Sequence, residues 1–338
     1  MQPFGPSIHI FNPDTDYALA AGRKIYSPPA KIVAIRKSMA LFPATFAAPE
    51  DMILLLDNLS PDQIKSSPYF HVASEKNLKI VWLQDIADMV SVSKSEISIR
   101  PWGWNHTLFR TLCRAGVPEE LLKSQQKIDS IRALSHRRTA IPFRKSLEMS
   151  LPDIEIDHAV ELFTVEDAID FGEEHPGAYF KAPWSSSGRG VVNSFELTGQ
   201  GLKEWMSGCI RRQGSILGEI GRVRAGDFAS EWWCAKGDAR FLGLSVFKTS
   251  GRGRYLGNIK ASQQDLEKMI SGFSPLWNSR IIEAQKVALD SIIAPYYDGP
   301  VGIDMFSSCE GNINPCVEIN LRQTMGHAAL WSDTDFNL

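Results

Sequence analysis

Two alternating segments near the C-terminus constrain the fold of this chain more than any other feature. Residues 317–322 read Val-Glu-Ile-Asn-Leu-Arg, so polar and apolar side chains alternate strictly. Residues 302–306 read Gly-Ile-Asp-Met-Phe, with Asp304 as their one acidic residue. Alternation with a period of two puts alternate side chains on one face of a β-strand. We therefore predict two strands, and a hairpin of the two would lay Asp304 beside Glu318, Asn320 and Arg322.

Three side chains on the shared face of that hairpin, Asp304, Glu318 and Asn320, suit a metal ion. Two carboxylates and an amide oxygen are hard ligands of the kind that Mg²⁺ takes when nucleotide phosphates fill its other positions. A solvated sheet face with a salt bridge is the alternative interpretation. The residues around the three are too apolar for a freely exposed hairpin, so we favour the metal site.

A loop rich in Ser and Gly follows an earlier predicted strand, residues 178–182, which carries Lys181 near its end. Small residues let backbone N–H groups approach a phosphate closely, and Lys181 and Arg189 would supply positive charge. The loop lacks the Gly-Lys-Ser/Thr ending of a Walker A motif. Taken by itself, it is more simply interpreted as a turn between two strands. Its residues are Ser185, Ser186, Ser187, Gly188, Arg189 and Gly190.

Composition and length limit the class of protein. A chain of 338 residues indicates two or three domains. A formal net charge of −3 argues against a protein that coats nucleic acid. Five scattered cysteines without a Cys-x-x-Cys pair argue against a disulfide scaffold or a zinc site. The sequence opens with no signal-peptide pattern, and no apolar run reaches the roughly 20 residues of a membrane helix. We expect a cytoplasmic protein with no nucleic-acid or membrane partner.

The two halves of the chain differ in pattern. In the first, apolar segments such as Ile8–Phe11, Met52–Leu56 and Leu78–Leu83 alternate with helical stretches, which predicts a small α/β domain with a mostly parallel sheet. The second half has several strands joined by short turns and few helices, which predicts an α+β module.

Taken in order along the chain, these motifs resemble the ATP-grasp superfamily, which includes carboxylate–amine and carboxylate–thiol ligases. The resemblance rests on Lys181 with its loop, on Ile216–Ile220 and Gly226–Phe228, and on Asp304 followed fourteen residues later by Glu-x-Asn-x-Arg. It extends over 135–331. Segments at 12–16, 100–105 and 325–326 resemble a bacterial subgroup of the same superfamily.

The resemblance implies a fold in three parts. Residues 1–130 would form a parallel-sheet α/β domain, called pre-ATP-grasp in that superfamily. Residues 131–215 would form the small lobe of the ATP-grasp domain, with the phosphate loop. Residues 216–338 would form its large lobe, with the metal site.

The resemblance also implies site residues. Lys181 and Arg322 would act on the transferring phosphate. Asp304, Glu318 and Asn320 would hold two Mg²⁺ ions, or Mn²⁺. The family usually has a lysine on the helix that opens the fold, and Arg138 is the best substitute beside His136 and Arg137. The implied ATP-binding residues are Arg138, Lys181, Ser185, Ser186, Ser187, Gly188, Arg189, Gly190, Glu219 and Ile220 at the adenine, Asp227 at the ribose, and Lys248 as a further phosphate contact.

Candidate substrate residues are Asn12, Asp16 and Arg254. Asn12 and Asp16 follow the first predicted strand, and ligands bind at strand ends in open α/β sheets. They could equally be turn residues that cap the next helix. Arg254 lies in a Gly/Arg loop, 250–255, that could bind a substrate carboxylate or the γ-phosphate, or simply be solvated.

The implied activity is that of an ATP-dependent ligase. A carboxylate of a small molecule or peptide would be phosphorylated by ATP, and an amine would then displace the phosphate. Two alternatives stay open: a kinase of a small hydroxylated substrate with the same nucleotide site, and an ATP-binding protein without turnover. The sequence does not settle the oligomeric state, although a homodimer is common in the superfamily.

Overall fold

The computed structural model describes residues 6–22, 25–92, 97–185, 190–249 and 255–332. Their packing divides the chain into two compact units. The described residues of the first unit extend to Arg132 and include Arg322–Thr324 and 328–332. Those of the second lie in Ala133–Leu321 and Met325–His327. The division of the second half into two lobes stays a prediction.

A four-stranded parallel sheet forms the centre of the first unit, in the order β3-β2-β1-β4. Its strands are β1 (Ser7–Ile10), β2 (Met52–Leu55), β3 (Lys79–Trp82) and β4 (Ser98–Pro101). The two central strands, β1 and β2, are buried throughout, as expected of strands covered on both faces. The predicted parallel sheet is confirmed. The strand order reverses between β1 and β4, which makes their carboxyl ends a topological switch point.

Seven helices accompany this sheet in the described residues up to 134. The amide of Leu108 donates to the side chain of Asn105, which caps the helix that follows β4. The helices are α1 (Thr15–Ala21), α2 (Ala30–Ser38), α3 (Pro61–Lys65), α4 (Phe70–Glu75), α5 (Ile86–Val92), α6 (His106–Arg114) and α7 (Gln125–Leu134), with 3₁₀ turns at Phe42–Thr45, Leu83–Asp85 and Glu119–Leu121.

The second unit is built on two antiparallel sheets. The four-stranded sheet has the order β5-β8-β6-β7, and the five-stranded sheet has the order β11-β10-β9-β12-β13. The strands are β5 (Ala159–Leu162), β6 (Tyr179–Lys181), β7 (Val191–Asn193), β8 (Ile216–Glu219), β9 (Arg224–Ala235), β10 (Asp238–Thr249), β11 (Tyr255–Ile259), β12 (Gly299–Ser308) and β13 (Ile313–Asn320).

Helices cover one face of each antiparallel sheet. On the five-stranded sheet, Phe228 packs against Phe273 and Trp277 with ring centroids 5.8 and 5.4 Å apart. On the four-stranded sheet, Phe180 packs against Phe171 and lies in one core cluster with Met206. The helices are α8 (Ala140–Ser150), α9 (Val165–Glu174), α10 (Gly199–Gln213), α11 (Gln263–Phe273), α12 (Arg280–Ile292) and α13 (Met325–Trp331), with a 3₁₀ turn at Arg137–Thr139.

Alternate residues of each strand point away from the covering helices, so the other face of each antiparallel sheet is open to polar side chains. The candidate site lies on those faces. Across the ranges that the structure describes, no helix combines the length and the apolarity needed to cross a bilayer.

Candidate functional site

The predicted C-terminal hairpin is confirmed as β12 and β13, and Asp304 lies directly opposite Glu318 in it. The prediction was wrong for Arg322, because β13 ends at Asn320 and Arg322 belongs to the first unit. Directly opposed residues of an antiparallel pair project from the same face. Asn320 follows Glu318 by two residues and shares that face, and its Nδ2 donates to Asp304 Oδ2 at 3.2 Å. The hairpin therefore gathers two carboxylates and one amide at a single place.

This set of side chains fits a hard divalent cation. Like charges directly opposite one another on a sheet repel. Here the guanidinium of Arg137 offsets part of that repulsion, with Nη2 at 2.8 Å from Glu318 Oε1. The described residues contain no group of three or more His, Cys, Asp and Glu side chains able to hold a metal. A Mg²⁺ ion at Asp304, Glu318 and Asn320 would therefore need further ligands from a bound molecule, as is usual for this ion.

A second charged cluster lies on the four-stranded sheet. Lys181 pairs with Leu217 in the register of β6 and β8, so it shares a face with Glu219 two residues further along β8. Lys181 Nζ donates to Glu219 Oε2 at 2.6 Å, and Arg144 Nη2 lies 3.2 Å from the other carboxylate oxygen. All three side chains are buried. Such a buried set is tolerated because each charge has an opposite charge beside it.

Glu219 is held in its ionised form by this cluster. Burial alone would raise the pKa of its carboxyl group, but the charges of Arg144 and Lys181 outweigh burial and lower that pKa to about 2. Glu219 therefore carries a full negative charge at neutral pH. Burial has the opposite consequence for its partner, because it lowers the pKa of Lys181 despite the nearby charge of Glu219.

Arg137 connects the segment that follows β6 with the hairpin. Its Nη1 donates to the backbone carbonyl of Ala182 at 2.7 Å and to the hydroxyl of Ser185, and its Nη2 donates to Glu318. Its own amide donates to Pro183 O at 3.0 Å. One side chain thus contacts both the beginning of the Ser/Gly loop and a carboxylate of the candidate metal site.

Comparison with solved structures shows the fold of this chain, whereas comparison of its sequence shows no family. No protein-family model matches the chain, and no curated protein matches it. Biotin carboxylase from Campylobacter jejuni, in a β,γ-ATP complex, is 12% identical, covers 96% of this chain and 67% of its own, and has a TM-score of 0.53. The biotin carboxylase domain of 2-oxoglutarate carboxylase from Hydrogenobacter thermophilus is 13% identical, covers 98% and 69%, and has the same TM-score.

Pyruvate carboxylase from Rhizobium etli also reaches a TM-score of 0.53, with 14% identity over 97% of this chain and 27% of its own. The chain has the ATP-grasp fold. The likeness extends over nearly the whole chain, so the parallel sheet of the first unit and the two antiparallel sheets of the second all belong to it. The predicted fold class is confirmed.

Within the ATP-grasp fold, Asp227 shares a face with the hairpin carboxylates. Asp227 pairs with Phe306 and Ala229 with Asp304 in the register of β9 and β12, so Asp227 and Asp304 project the same way. The carboxylate of Asp227 accepts from Arg224 Nη1 at 2.6 Å and from Thr249 Oγ1 at 2.7 Å.

Two predicted ATP-binding residues lie apart from these clusters. Lys248 is exposed, and the register of β10 with β9 puts its side chain on the face opposite that of Asp227. Arg138 has a side chain that is 55% exposed, and its guanidinium lies 4.0 Å from Glu161. The neighbouring Arg137, with 6% exposure, is the arginine that contacts Glu318.

The substrate candidates Asn12 and Asp16 both have partners within the first unit. Asn12 Nδ2 donates to Gly103 O at 2.7 Å, and Gly103 N donates back to Asn12 Oδ1 at 3.3 Å. Arg322 belongs to the first unit, and its Nε lies 2.9 Å from Asp16 Oδ2. Asn12 therefore joins the ends of β1 and β4, and Asp16 pairs with the proposed phosphate-binding arginine.

Part of the predicted site lies outside the described residues, namely Ser186, Ser187, Gly188, Arg189 and Arg254. The two described ends of the loop are Ser185 and Gly190. Gly190 has φ +70°, and a Cβ atom there would lie 3.0 Å from Ser185 Cβ, so glycine suits this position. Ile220 directly follows β8 and is half-buried.

Sequence reasoning missed Arg144. Its Nε donates to Cys316 O of β13 at 2.7 Å while its Nη2 pairs with Glu219 of β8, so it connects the two antiparallel sheets. A signal existed: Arg144 lies between Phe143 and Leu147 on a helix, and it follows Arg137 by seven residues, which is two helical turns.

Proposed function

We propose that this chain binds Mg-ATP and uses it to join a carboxylate of a small molecule or peptide to an amine. A carboxylate oxygen would attack the γ-phosphorus of ATP and ADP would leave. The amine nitrogen would then attack the acyl phosphate, and phosphate would leave with that oxygen. The reaction needs charge neutralisation more than a protein nucleophile. The opposed carboxylates Asp304 and Glu318, beside the cation Arg137, carry the proposal.

The nucleotide would bind between charges of both sheets. Lys181 would contact the α- and β-phosphates. Its ammonium group has three N–H donors, and Glu219 accepts from one of them, so the others could reach phosphate oxygens. Asp304, Glu318 and Asn320 would hold two Mg²⁺ ions, or Mn²⁺ in their place, whose charge lowers the cost of gathering phosphate oxygens.

The ribose and the adenine of ATP would contact other residues of the second unit. Asp227 would accept from the ribose hydroxyls, and Arg224 and Thr249 keep its carboxylate on the correct face. Since the carboxylate of Glu219 is engaged by two cations, the backbone beside it and Ile220 would contact the adenine.

The acceptor site is proposed at the switch point of the parallel sheet, where Asn12 and Asp16 follow β1. Arg322 would hold the γ-phosphate or the acyl phosphate. Because Arg322 pairs with Asp16 in the structure, it would have to exchange that carboxylate for a phosphate oxygen.

The comparisons support the proposed nucleotide site more than the proposed acceptor site. The Hydrogenobacter domain was solved with MgADP and bicarbonate, so one protein of this fold holds a nucleotide and an oxyanion together. The Campylobacter biotin carboxylase was solved with an ATP ligand.

Oxygen transfer tests the chemistry directly. The protein is incubated with Mg-ATP, a pool of carboxylic acids labelled with ¹⁸O, and a pool of amines. A ligase that forms an acyl phosphate transfers one ¹⁸O atom to the released phosphate, and release of ADP requires both pools. Phosphate without the label, or a stable phosphorylated product formed without an amine, would contradict the ligase and favour the kinase.

A further inference from the structure

Arg137 divides its donors between two parts of the candidate site. Nη1 serves Ala182 O and Ser185 Oγ at the start of the Ser/Gly loop, and Nη2 serves Glu318 Oε1 at 2.8 Å. Its third nitrogen, Nε, is buried and has no hydrogen-bond partner among the described residues. An arginine buried to 6% exposure with an unused donor has capacity for one further acceptor.

The guanidinium and a divalent cation compete for the same carboxylate. Both are positive, and Arg137 already occupies Oε1 of Glu318. Removing a cation from beside two opposed carboxylates increases the repulsion between them, so that pair would bind another cation more strongly. Phosphate oxygens, in contrast, are acceptors that a guanidinium binds well.

We propose that Arg137 is a positioning residue that makes metal binding depend on bound nucleotide. Arg137 holds Glu318 away from free divalent cations. When phosphate oxygens take the guanidinium, Glu318 is released to the metal. This inference rests on the proposed Mg-ATP site and adds to it an order of binding.

The neighbouring cations do not offer this exchange. Arg144 Nη2 also has no hydrogen bond among the described residues, but Arg144 lies beside Glu219 and donates to Cys316 O, not to a carboxylate of the hairpin. Lys181 donates to Glu219. Arg138 is half-exposed and lies nearest to Glu161. Among these four cations, Arg137 is the one that contacts a carboxylate of the hairpin.

The test measures binding of Mn²⁺ to the full chain by electron paramagnetic resonance, with and without a non-hydrolysable ATP analogue. In the wild type, we expect weak binding of Mn²⁺ alone and much tighter binding with the analogue. In Arg137→Met, affinity for Mn²⁺ alone should rise by roughly tenfold, and the enhancement by the analogue should shrink by a similar factor or more. Affinity for the analogue in EDTA should fall, because a phosphate donor is lost.

Two further variants make the result specific. Arg280→Met removes an arginine of the same unit that pairs with Asp153 on the surface, and it should change none of these affinities. Arg137→Lys keeps the positive charge but loses the planar set of guanidinium donors. It should therefore keep weak binding of Mn²⁺ alone, and it tests the inference even if the methionine variant fails to fold. Lower or unchanged affinity for Mn²⁺ alone in Arg137→Met, or raised affinity in Arg137→Lys, would overturn the inference.

The two proposals fail in different ways. If the wild type binds neither Mn²⁺ with the analogue nor the analogue with Mn²⁺, the Mg-ATP site itself is wrong and the inference falls with it. If the wild type binds both and Arg137→Met binds Mn²⁺ alone no better, only the role of Arg137 is wrong.

Discussion

Asp304 and Glu318 oppose one another directly across β12 and β13, so two negative charges share one face of the sheet. Opposed like charges destabilise an antiparallel pair by a few tenths of a kcal/mol to about 1 kcal/mol. The proposed metal site would therefore lower the stability of the free protein at this point, and mutation can separate the effect on stability from the effect on ligand binding.

Asp304→Asn should affect stability and ligand binding in opposite directions. Removing one charge should raise the free energy of unfolding of the free protein by about 0.5 kcal/mol. The same change should abolish the thermal stabilisation that we expect Mg-ATP to give the wild type, because a proposed metal ligand is lost. Urea unfolding with and without Mg-ATP measures both effects. The control Asp153→Asn, at a surface ion pair with Arg280, should retain stabilisation by Mg-ATP.

Glu219→Gln should lower stability in a manner that depends on pH. The pKa of Glu219 falls from the usual 4.5 to about 2 in the folded protein, so the ionised carboxylate stabilises the fold. A depressed pKa stabilises the fold fully above the unfolded pKa. The difference between wild type and variant should therefore be largest above about pH 5 and shrink as pH falls toward 2.

Urea unfolding at pH 7 and at pH 3 measures that difference. Glu310→Gln is a suitable control, since Glu310 is exposed and pairs with Arg222, and exposed pairs contribute about 1 kcal/mol or less. A loss of equal size at both pH values would show that the effect of Glu219→Gln comes from packing and not from charge.

Gly326→Ala should destabilise the second unit strongly. A Cβ atom at Gly326 would lie 1.8 Å from Glu231 Oε1, and Glu231 is buried and paired with His327 Nδ1 at 2.9 Å. Neither partner can move without breaking a buried pair, so we expect a loss of about 3 kcal/mol. Gly272→Ala is the matched control: no atom lies within 4 Å of the new methyl group, and alanine in a helix should add about 0.5 kcal/mol. Thermal unfolding of the two variants should thus show shifts of opposite sign.

Lys181→Met should weaken binding of Mg-ATP by at least about tenfold, the cost of one charge-assisted phosphate contact. Glu219 would keep Arg144 as a partner, so the fold should survive with reduced stability. Isothermal titration with an ATP analogue measures the affinity. Lys286→Met, which removes a surface lysine paired with Asp238 and Asp290, should leave that affinity unchanged. Equal affinities in the two variants would remove Lys181 from the site.

Local patterns were enough to predict the parts of this protein that depend on neighbours in the chain. The period-two alternation around Asp304 and Glu318 predicted their strands and shared face, because side-chain direction in a strand is a local property. The apolar run Met52–Leu56 likewise predicted a strand of a mostly parallel sheet, because an uninterrupted apolar run is typical of strands covered on both faces.

The choice between Arg137 and Arg138 was not local. The two are adjacent in a 3₁₀ turn, and nothing in their immediate sequence says which one turns inward. The partners that select Arg137 are Ala182, Ser185 and Glu318, which lie 45, 48 and 181 residues further along the chain.

Lys248 also shows which property was predictable from local sequence and which was not. Its strand was predictable, but the face it points to depends on the register of β10 with β9 and on the helices that cover one side of the sheet through Phe228. The contacts of Arg144 were likewise not predictable from local sequence, because its partners Glu219 and Cys316 belong to two different sheets. The amino-acid sequence alone decided which residues form strands and share a face. The tertiary structure decided which cations meet which carboxylates, because such pairs form only after segments distant in the chain have packed together.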